Sequence, residues 1–339
     1  MTINSTSSAP VSTALGQVDP LSIRSVLMLE TSAHMMTETD WSFRSATIDL
    51  AGVSGEPGRF RLFGANHPDS IQKVYDREID ISIMNPNVIL SMAYRGIGLY
   101  THPMDVALIA VLPHYDHLGF AVTERSGLTS LSDIRDKRYP LRLSVRGSID
   151  ACTTRLMEKI LKVHGFGYDD IVSWGGSISY DMPMPDDSTH GGPTRIARAV
   201  SGELDAVFDE GVIVWANQAA EAGMKFLDID EEHLVKLERE GFVRGTLDKA
   251  RFPKIGRDVA TLDFSGWPVY TRNDTADLLV RKFCEAMEAR KDRLLWTWGT
   301  VKQPPMPIER MLKNSPETPV DIPFHPAALA FWKAQGYLE

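Results

Sequence analysis

The sequence predicts an α/β fold built on mostly parallel sheets, and three observations carry that prediction. Short apolar runs alternate with stretches of helical periodicity along most of the 339 residues. The 25 glycines and 20 prolines fall largely at the boundaries between those runs, where turns are needed. A chain that is 43% hydrophobic and 24% charged has enough apolar side chain for a sizeable core, and its length suggests two domains. These figures exclude intrinsic disorder, a collagen-like chain and a disulfide scaffold.

Taken in order, residues 1–21 are small and polar, with Pro10 and Pro20, and read as a flexible tail. Ile23–Leu29 is a short apolar run between turn-formers and suits a buried strand, followed by the polar stretch Thr31–His34. Phe60–Phe63 reads as a strand and Asp69–Asp76 as a helix capped by Asp69. Asp80–Met84 is a strand that Asn85-Pro86 stops, because proline cannot continue the ladder. Asn87–Arg95 is a helix that Gly96 and Gly98 terminate, and Val106–Leu112 and Leu118–Val122 are strands.

The pattern then repeats. Ser130–Asp133 opens a short helix, and Tyr139–Val145 is a strand leading through Arg146–Asp150 into a helix from Ala151 to about His164. Ile171–Trp174 reads as the next strand, and the Pro/Gly/Asp-rich stretch Ser179–Arg195 as an inserted mobile loop. Thr194–Val200 is a helix, and Gly202–Phe208 a strand that ends at Asp209-Glu210-Gly211. In parallel sheets ligands sit beyond the carboxyl ends of strands. That rule directs attention to the loops 31–34, 85–87, 146–150 and 209–211.

Charge and motifs exclude several function classes. A net charge of −9 argues against nucleic acid as a partner, since phosphate neutralisation needs a concentrated basic surface. Cys152 and Cys284 stand far apart with no CxxC, so neither a structural zinc nor an oxidising compartment is required. His114 and His117 flank Asp116 in a segment that ends a strand, where alternation sets neighbours on opposite faces; no third ligand is nearby, and no metal site is expected. P-loop, G-x-S-x-G, H-E-x-x-H and G-x-G-x-x-G motifs are all missing, and no cofactor is expected. No apolar run approaches the roughly 20 residues that span a bilayer, so no membrane insertion is expected. Met1–Gln17 has no basic residue and no apolar stretch, and fails as a secretory signal; the expected location is the cytoplasm.

Several of these segments carry a family resemblance. Asp80–Met84 and Gly202–Phe208 resemble the two G-x-x-D-hydrophobic strand entries of type II periplasmic binding proteins, and Leu128–Arg138 resembles a helix element of that superfamily, with Asp136 where glycine is usual. Arg146-Gly147-Ser148, Met224–Asp230 with Glu231-Glu232, and His325–Ala328 with Phe331–Gly336 look like TAXI-type solute receptors of TRAP transporters. The similarity spans roughly residues 60–337. It departs in two places: the export signal is missing, and Glu30–His34 replaces the glycine-rich loop after the first strand. The resemblance implies two lobes, residues 22–117 plus 265–339 and residues 118–264. Leu118–Val122 and Ala260–Tyr270 would be the crossings, with ligand closing the cleft by hinge motion.

Within that frame Arg146, Gly147 and Ser148 form the best anion site. A strand-to-helix turn presents free N–H groups at the positive end of the helix dipole, and Arg146 adds a two-pronged donor. The alternative is a plain turn in which Ser148 caps the helix. Thr31, Ser32 and His34 follow the first strand and either contact ligand or cap the next element. Asn85 either orients a ligand or starts its helix. Asp209, with Glu210, either grips a ligand donor, binds Arg146 across an empty cleft, or is a solvated turn. Trp267 and Tyr270 flank Pro268 on the return strand and either stack on a planar ligand or pack the hinge. Cys152, in the first turn of its helix, is a low-pKa thiol or a buried one.

Two functions from different classes fit these residues. One is a receptor-like protein binding a small organic anion, most plausibly a carboxylate, with a transporter membrane subunit as partner if the chain is exported. The other is a cytoplasmic decarboxylase or desulfinase-like lyase on the same scaffold, with His34, His114 and Cys152 as candidate proton donors. Nothing in the sequence sets the oligomeric state.

Overall fold

The computed structural model of the chain describes residues 22–38, 45–51, 59–64, 69–147, 151–181, 194–293, 296–298, 301–303 and 306–339. The tail expected over 1–21 and most of the loop expected over 179–195 lie outside them. The chain divides into two compact units, Met1–Ala46 and Thr47–Glu339.

The first unit holds a helix, Ile23–Glu38, in place of the strand expected at Ile23–Leu29. A seven-residue apolar run cannot by periodicity alone be told from a helix segment. The residues just beyond it decide between the two: Glu30, Ala33, Met35 and Met36 favour helix, and neither glycine nor proline interrupts them. The helix therefore runs straight through Thr31–His34.

The strands, in chain order, are β1 (Ala46–Ala51), β2 (Arg59–Gly64), β3 (Ile81–Ile83), β4 (Val106–Leu112), β5 (Gly119–Val122), β6 (Arg142–Arg146), β7 (Ser177–Asp181), β8 (Ala206–Asp209), β9 (Lys225–Phe226), β10 (Arg244–Leu247), β11 (Val259–Leu262), β12 (Trp267–Arg272), β13 (Trp296–Trp298) and β14 (Val301–Gln303). They form two five-stranded sheets, ordered β1-β2-β3-β12-β4 and β7-β6-β8-β5-β9, and two antiparallel ribbons, β10-β11 and β13-β14. Each sheet is the base of one lobe.

The sheets are mixed, and they are mixed in the same way. β2 and β3 are parallel, and β12 inserts antiparallel between β3 and β4. β6 runs parallel to both β7 and β8, and β5 inserts antiparallel between β8 and β9. The inserted strands are the ones reached directly from the crossings between sheets. The crossings themselves pair with each other: Phe264 N–H donates to the Asp116 carbonyl at 2.9 Å, Gly266 N–H to the His114 carbonyl at 2.9 Å, and Leu118 N–H to the Leu262 carbonyl at 3.1 Å. The hinge is thus a short two-stranded strip.

Two sequence assignments shift. Ile171–Trp174 lies in the helix Tyr168–Ser173 and at its end, and the strand is β7, six residues later. The Asp170 carboxylate accepts the Gly167 N–H at 2.8 Å and closes that helix start, an interaction that outweighs the β-branched Ile171-Val172 pair. Asp69 stands at the N-cap of Ser70–Tyr75 but makes no side-chain cap bond. The helix Asn87–Arg95 ends as expected, with Gly96 left-handed at φ 67°.

Core packing obeys strand alternation. In β8, Ala206 and Phe208 face a cluster that includes Leu143 and Leu156, while Val207 faces Trp215 and Phe226 on the other side. The first sheet packs Ile109 and Val269 on Val280, Cys284 and Trp332 of the helices Asp277–Arg290 and Pro326–Ala334. Among the described residues no helix is long and apolar enough to cross a membrane.

Trp332 ties the C-terminal helix to the sheet: it is fully buried, and its Nε1 donates to the Ile109 carbonyl at 2.9 Å. Trp332→Ala opens a large cavity and orphans that carbonyl. The expected loss is about 3–5 kcal/mol of unfolding free energy by urea denaturation; a loss under about 1 kcal/mol would remove this helix from the core.

Candidate functional site

The carboxyl ends of β3, β6, β7 and β8 converge, and the side chains there form a buried charge network. Arg146, the last residue of β6, points at the end of the neighbouring β8. Its Nε lies 2.8 Å from Asp209 Oδ1 and its Nη1 2.9 Å from Glu210 Oε1, while Nη2 donates to the Glu210 carbonyl at 3.1 Å. The Arg146 side chain is 12% exposed and those of Asp209 and Glu210 0% and 1%, so the network is close to dry. Burial alone would lower the Arg146 pKa; the Asp209 and Glu210 carboxylates more than reverse that and hold the guanidinium charged.

Asp209 serves a second cation. Arg195, from the start of the helix Arg195–Ser201, pairs with Asp209 Oδ2, and its Nε donates to Ser144 Oγ at 2.7 Å. The Ser144 hydroxyl in turn donates to Asp181 at the end of β7. One carboxylate between two guanidiniums leaves Glu210 as the more separable partner of Arg146. Burial pushes the Glu210 carboxyl up, Arg146 opposes the rise, and Asp209 adds to it.

The other lobe reaches this network through Asn85 and the hinge. Asn85 Nδ2 donates to Glu210 Oε1 at 3.2 Å, a bond from the end of β3 to the end of β8. Asp116, in the hinge, accepts the Gly211 N–H at 2.6 Å and its neighbour's N–H, that of His117, at 2.8 Å. Gly211 is left-handed at φ 69°, which only glycine adopts without strain, and this turn aims its N–H at the carboxylate. Burial first, and then the Glu210 charge, push the Asp116 carboxyl well up. His114 is buried with its ring stacked on Trp267 at 4.6 Å. Burial and the Arg146 charge depress its pKa to about 3, so the imidazole is neutral at physiological pH.

Of the residues singled out from sequence, Asn85, Arg146 and Asp209 meet in this network, and His114 and Trp267 stack together at its hinge side. Tyr270 is fully buried, its hydroxyl 2.9 Å from Ser70 Oγ, and offers no face for stacking on a ligand. Gly147 is left-handed at φ 79°, but its N–H is committed to the Asp181 carbonyl at 2.8 Å and is not available to an anion. Ser148 lies outside the described residues. Arg146 meets its acids within one lobe, on adjacent strands, rather than across the cleft. Cys152 is buried and its thiol is pushed up to about 12 by burial and then by the Glu210 charge; the helix start does not compensate. Thr31, Ser32 and His34 stand exposed on a helix of the first compact unit, not at a strand end, and the reason for assigning them falls away.

Sequence reasoning missed Arg195 and the role of Asp116. The signal for Arg195 was present: a cation in the first turn of a helix opposes the dipole, and a residue that breaks a local rule has a tertiary task. From sequence Asp116 reads only as part of a polar segment between two histidines, whereas its partner is a backbone N–H from the other lobe.

A family model described as the NMT1-like family matches residues 68–336, and the chain belongs to that family. No curated protein sequence matches it. Among solved structures it is similar to the periplasmic binding protein BugD, at 12% identity over 64% of this chain and 66% of that one, with a TM-score of 0.33. It is similar also to PhnD1 from Prochlorococcus marinus (MIT 9301) in complex with methylphosphonate, at 15% identity over 68% and 70% of the two chains, TM-score 0.32. A third is the periplasmic aliphatic sulphonate binding protein SsuA from Escherichia coli, at 13% identity over 66% and 57%, TM-score 0.27. The chain spans just under two thirds of BugD.

The network makes a pH-dependent contribution to stability. The folded pKa of Asp116 stands above its ordinary 3.8, so the folded state is favoured where the carboxyl is protonated, and that advantage fades as pH rises towards the raised value. Asp116→Asn keeps the Oδ1 acceptor and carries no charge. Its unfolding free energy by urea denaturation is expected to gain on the parent's as pH rises above 3.8. A gap that narrows with rising pH would contradict the assignment.

Proposed function

We propose that this NMT1-like family member is a solute-binding protein that captures a small organic anion, a carboxylate or a similar oxyanion, between its two lobes. One observation carries the reading: Glu210 is a carboxylate held by Arg146 on one lobe and Asn85 on the other, the arrangement a ligand oxyanion would need. Glu210 is the protein's own occupant of that place. An incoming anion takes over Arg146 Nη1 and Asn85 Nδ2, Asp209 keeps Arg146 Nε, and the displaced Glu210 takes up a proton, as its raised pKa favours. The Trp267–His114 stack supplies an apolar wall for the rest of the ligand.

The same cleft would serve a receptor feeding a TRAP-type membrane subunit, as the resemblance to TAXI receptors implies, or a cytoplasmic carrier. The lyase reading needs a proton donor poised near neutrality. His114, depressed to about 3, and Cys152, raised to about 12, lie far from that on opposite sides.

A thermal-shift panel of dicarboxylates, 2-oxoacids, aromatic acids, phosphonates and sulfonates tests the proposal. A true ligand at about 100 times its Kd adds about 2.7 kcal/mol, which corresponds to a Tm rise of about 4 °C for a chain of this size. Arg146→Ala is expected to abolish the rise, and Glu210→Gln to keep or enlarge it at pH 8. With a sulfonate, whose charge is constant, affinity is expected to increase as pH falls, because protonating Glu210 frees Arg146. An undiminished shift in Arg146→Ala would overturn the reading.

A further inference from the structure

A second cluster of polar side chains lies away from this network, in the lobe built on β5 to β9. His164 caps the carboxyl end of the helix Cys152–Val163, and Asp230 caps the amino end of the helix Glu231–Arg239, with His233 in that helix's first turn. One ligand-capable atom from each of the three residues lies within 4.8 Å of the others. His164 is fully buried, His233 nearly so, and the Asp230 side chain is half exposed.

The hydrogen bonding of His164 is that of a metal ligand awaiting its ion. Its Nδ1 lies 2.9 Å from the Ile160 carbonyl, an acceptor only, so Nδ1 carries the proton and Nε2 the lone pair. That Nε2 is buried and has no hydrogen-bond partner. A backbone carbonyl holding the far nitrogen is the outer-shell arrangement that fixes ligating imidazoles. Asp230 and His233, three apart on one helical turn, already share a hydrogen bond of 2.6 Å between Oδ1 and Nδ1.

We propose that His164, Asp230 and His233 bind a divalent transition-metal cation, zinc or another ion that prefers imidazole, which staples the end of one helix to the start of the other. Two nitrogens and one carboxylate oxygen select such ions over calcium or magnesium, which require mostly oxygen ligands. The carboxyl end of the His164 helix favours a cation; the amino end of the other opposes it, and Asp230, Glu231 and Glu232 in that first turn offset the opposition. The half-exposed Asp230 leaves a path for entry and room for water to complete the coordination. The two rings are stacked 3.9 Å apart at 16°, so their in-plane lone pairs do not meet on one point. Loading therefore draws the His233 ring out of the stack, and the ion replaces the proton it shares with Asp230.

The test uses full-length, tag-free protein stripped with a chelator and desalted. It is titrated with Zn2+ by calorimetry and with Co2+ by visible absorption. The expected result is one equivalent bound at Kd on the order of 1 µM or tighter, a Tm rise on loading, and no competition from Mg2+ or Ca2+. His233→Ala is expected to weaken binding at least about tenfold and Asp230→Asn, which keeps the helix cap, to weaken it less. Circular dichroism establishes that each variant is folded, and Asp230→Asn decides the question if His233→Ala is not. Absence of stoichiometric binding, or an affinity unchanged in the folded variants, would overturn the proposal.

Discussion

A guanidinium with 12% of its side chain exposed cannot stand without counter-charge, and that requirement organises the ends of the strands around Arg146. The cost of leaving such a group unpaired, about 3–5 kcal/mol, matches that of the largest single packing defects. Adjacent parallel strands meet it: β6 delivers the cation, and β8 ends on two consecutive carboxylates, Asp209 and Glu210. Because Asp209 is also claimed by Arg195, Glu210 is the less shared partner of Arg146 and the one the proposed anion would replace. Its second bond, to Asn85, makes the same carboxylate a link between the lobes.

The sheet topology brings these groups together beside the crossings between the sheets. Each sheet inserts one antiparallel strand beside its last parallel one, so chain enters and leaves a lobe at one hinge strip. The parallel strands β3 and β8 end just before residues that meet, Asn85 Nδ2 donating to Glu210 Oε1. Asp116 adds a second link: its carboxylate sits on the hinge, and its Gly211 partner caps the helix after β8. The charged network and the hinge are therefore joined by direct hydrogen bonds.

Much of this was legible in the sequence, for local reasons. β3 and its stop at Asn85-Pro86, the helix that Gly96 ends, and β8 with its acidic exit are all written in contiguous residues, and each was placed correctly. Arg146 was legible because a strand followed by Arg-Gly is an unusual place for a cation. The misreadings were equally local. Ile23–Leu29 and Ile171–Trp174 are apolar runs too short for their periodicity to decide, and helix starts and formers a few residues away settled them. Pairing between distant parts of the chain could not be read. Arg195 reaches Ser144 and Asp209, Asp181 takes the Gly147 N–H, and Tyr270 turns its hydroxyl to Ser70, all over separations that no spacing rule covers.

In the proposed mechanism Glu210 is the exchangeable counter-charge of Arg146, and the raised pKa of its carboxyl gives that exchange a proton signature. Calorimetry of anion binding at pH 8, in buffers of different ionisation enthalpy, measures it. The account predicts uptake of up to about one proton per anion bound by the parent protein and none by Glu210→Gln. Binding that takes up no proton in the parent, or the same number in both, would contradict it.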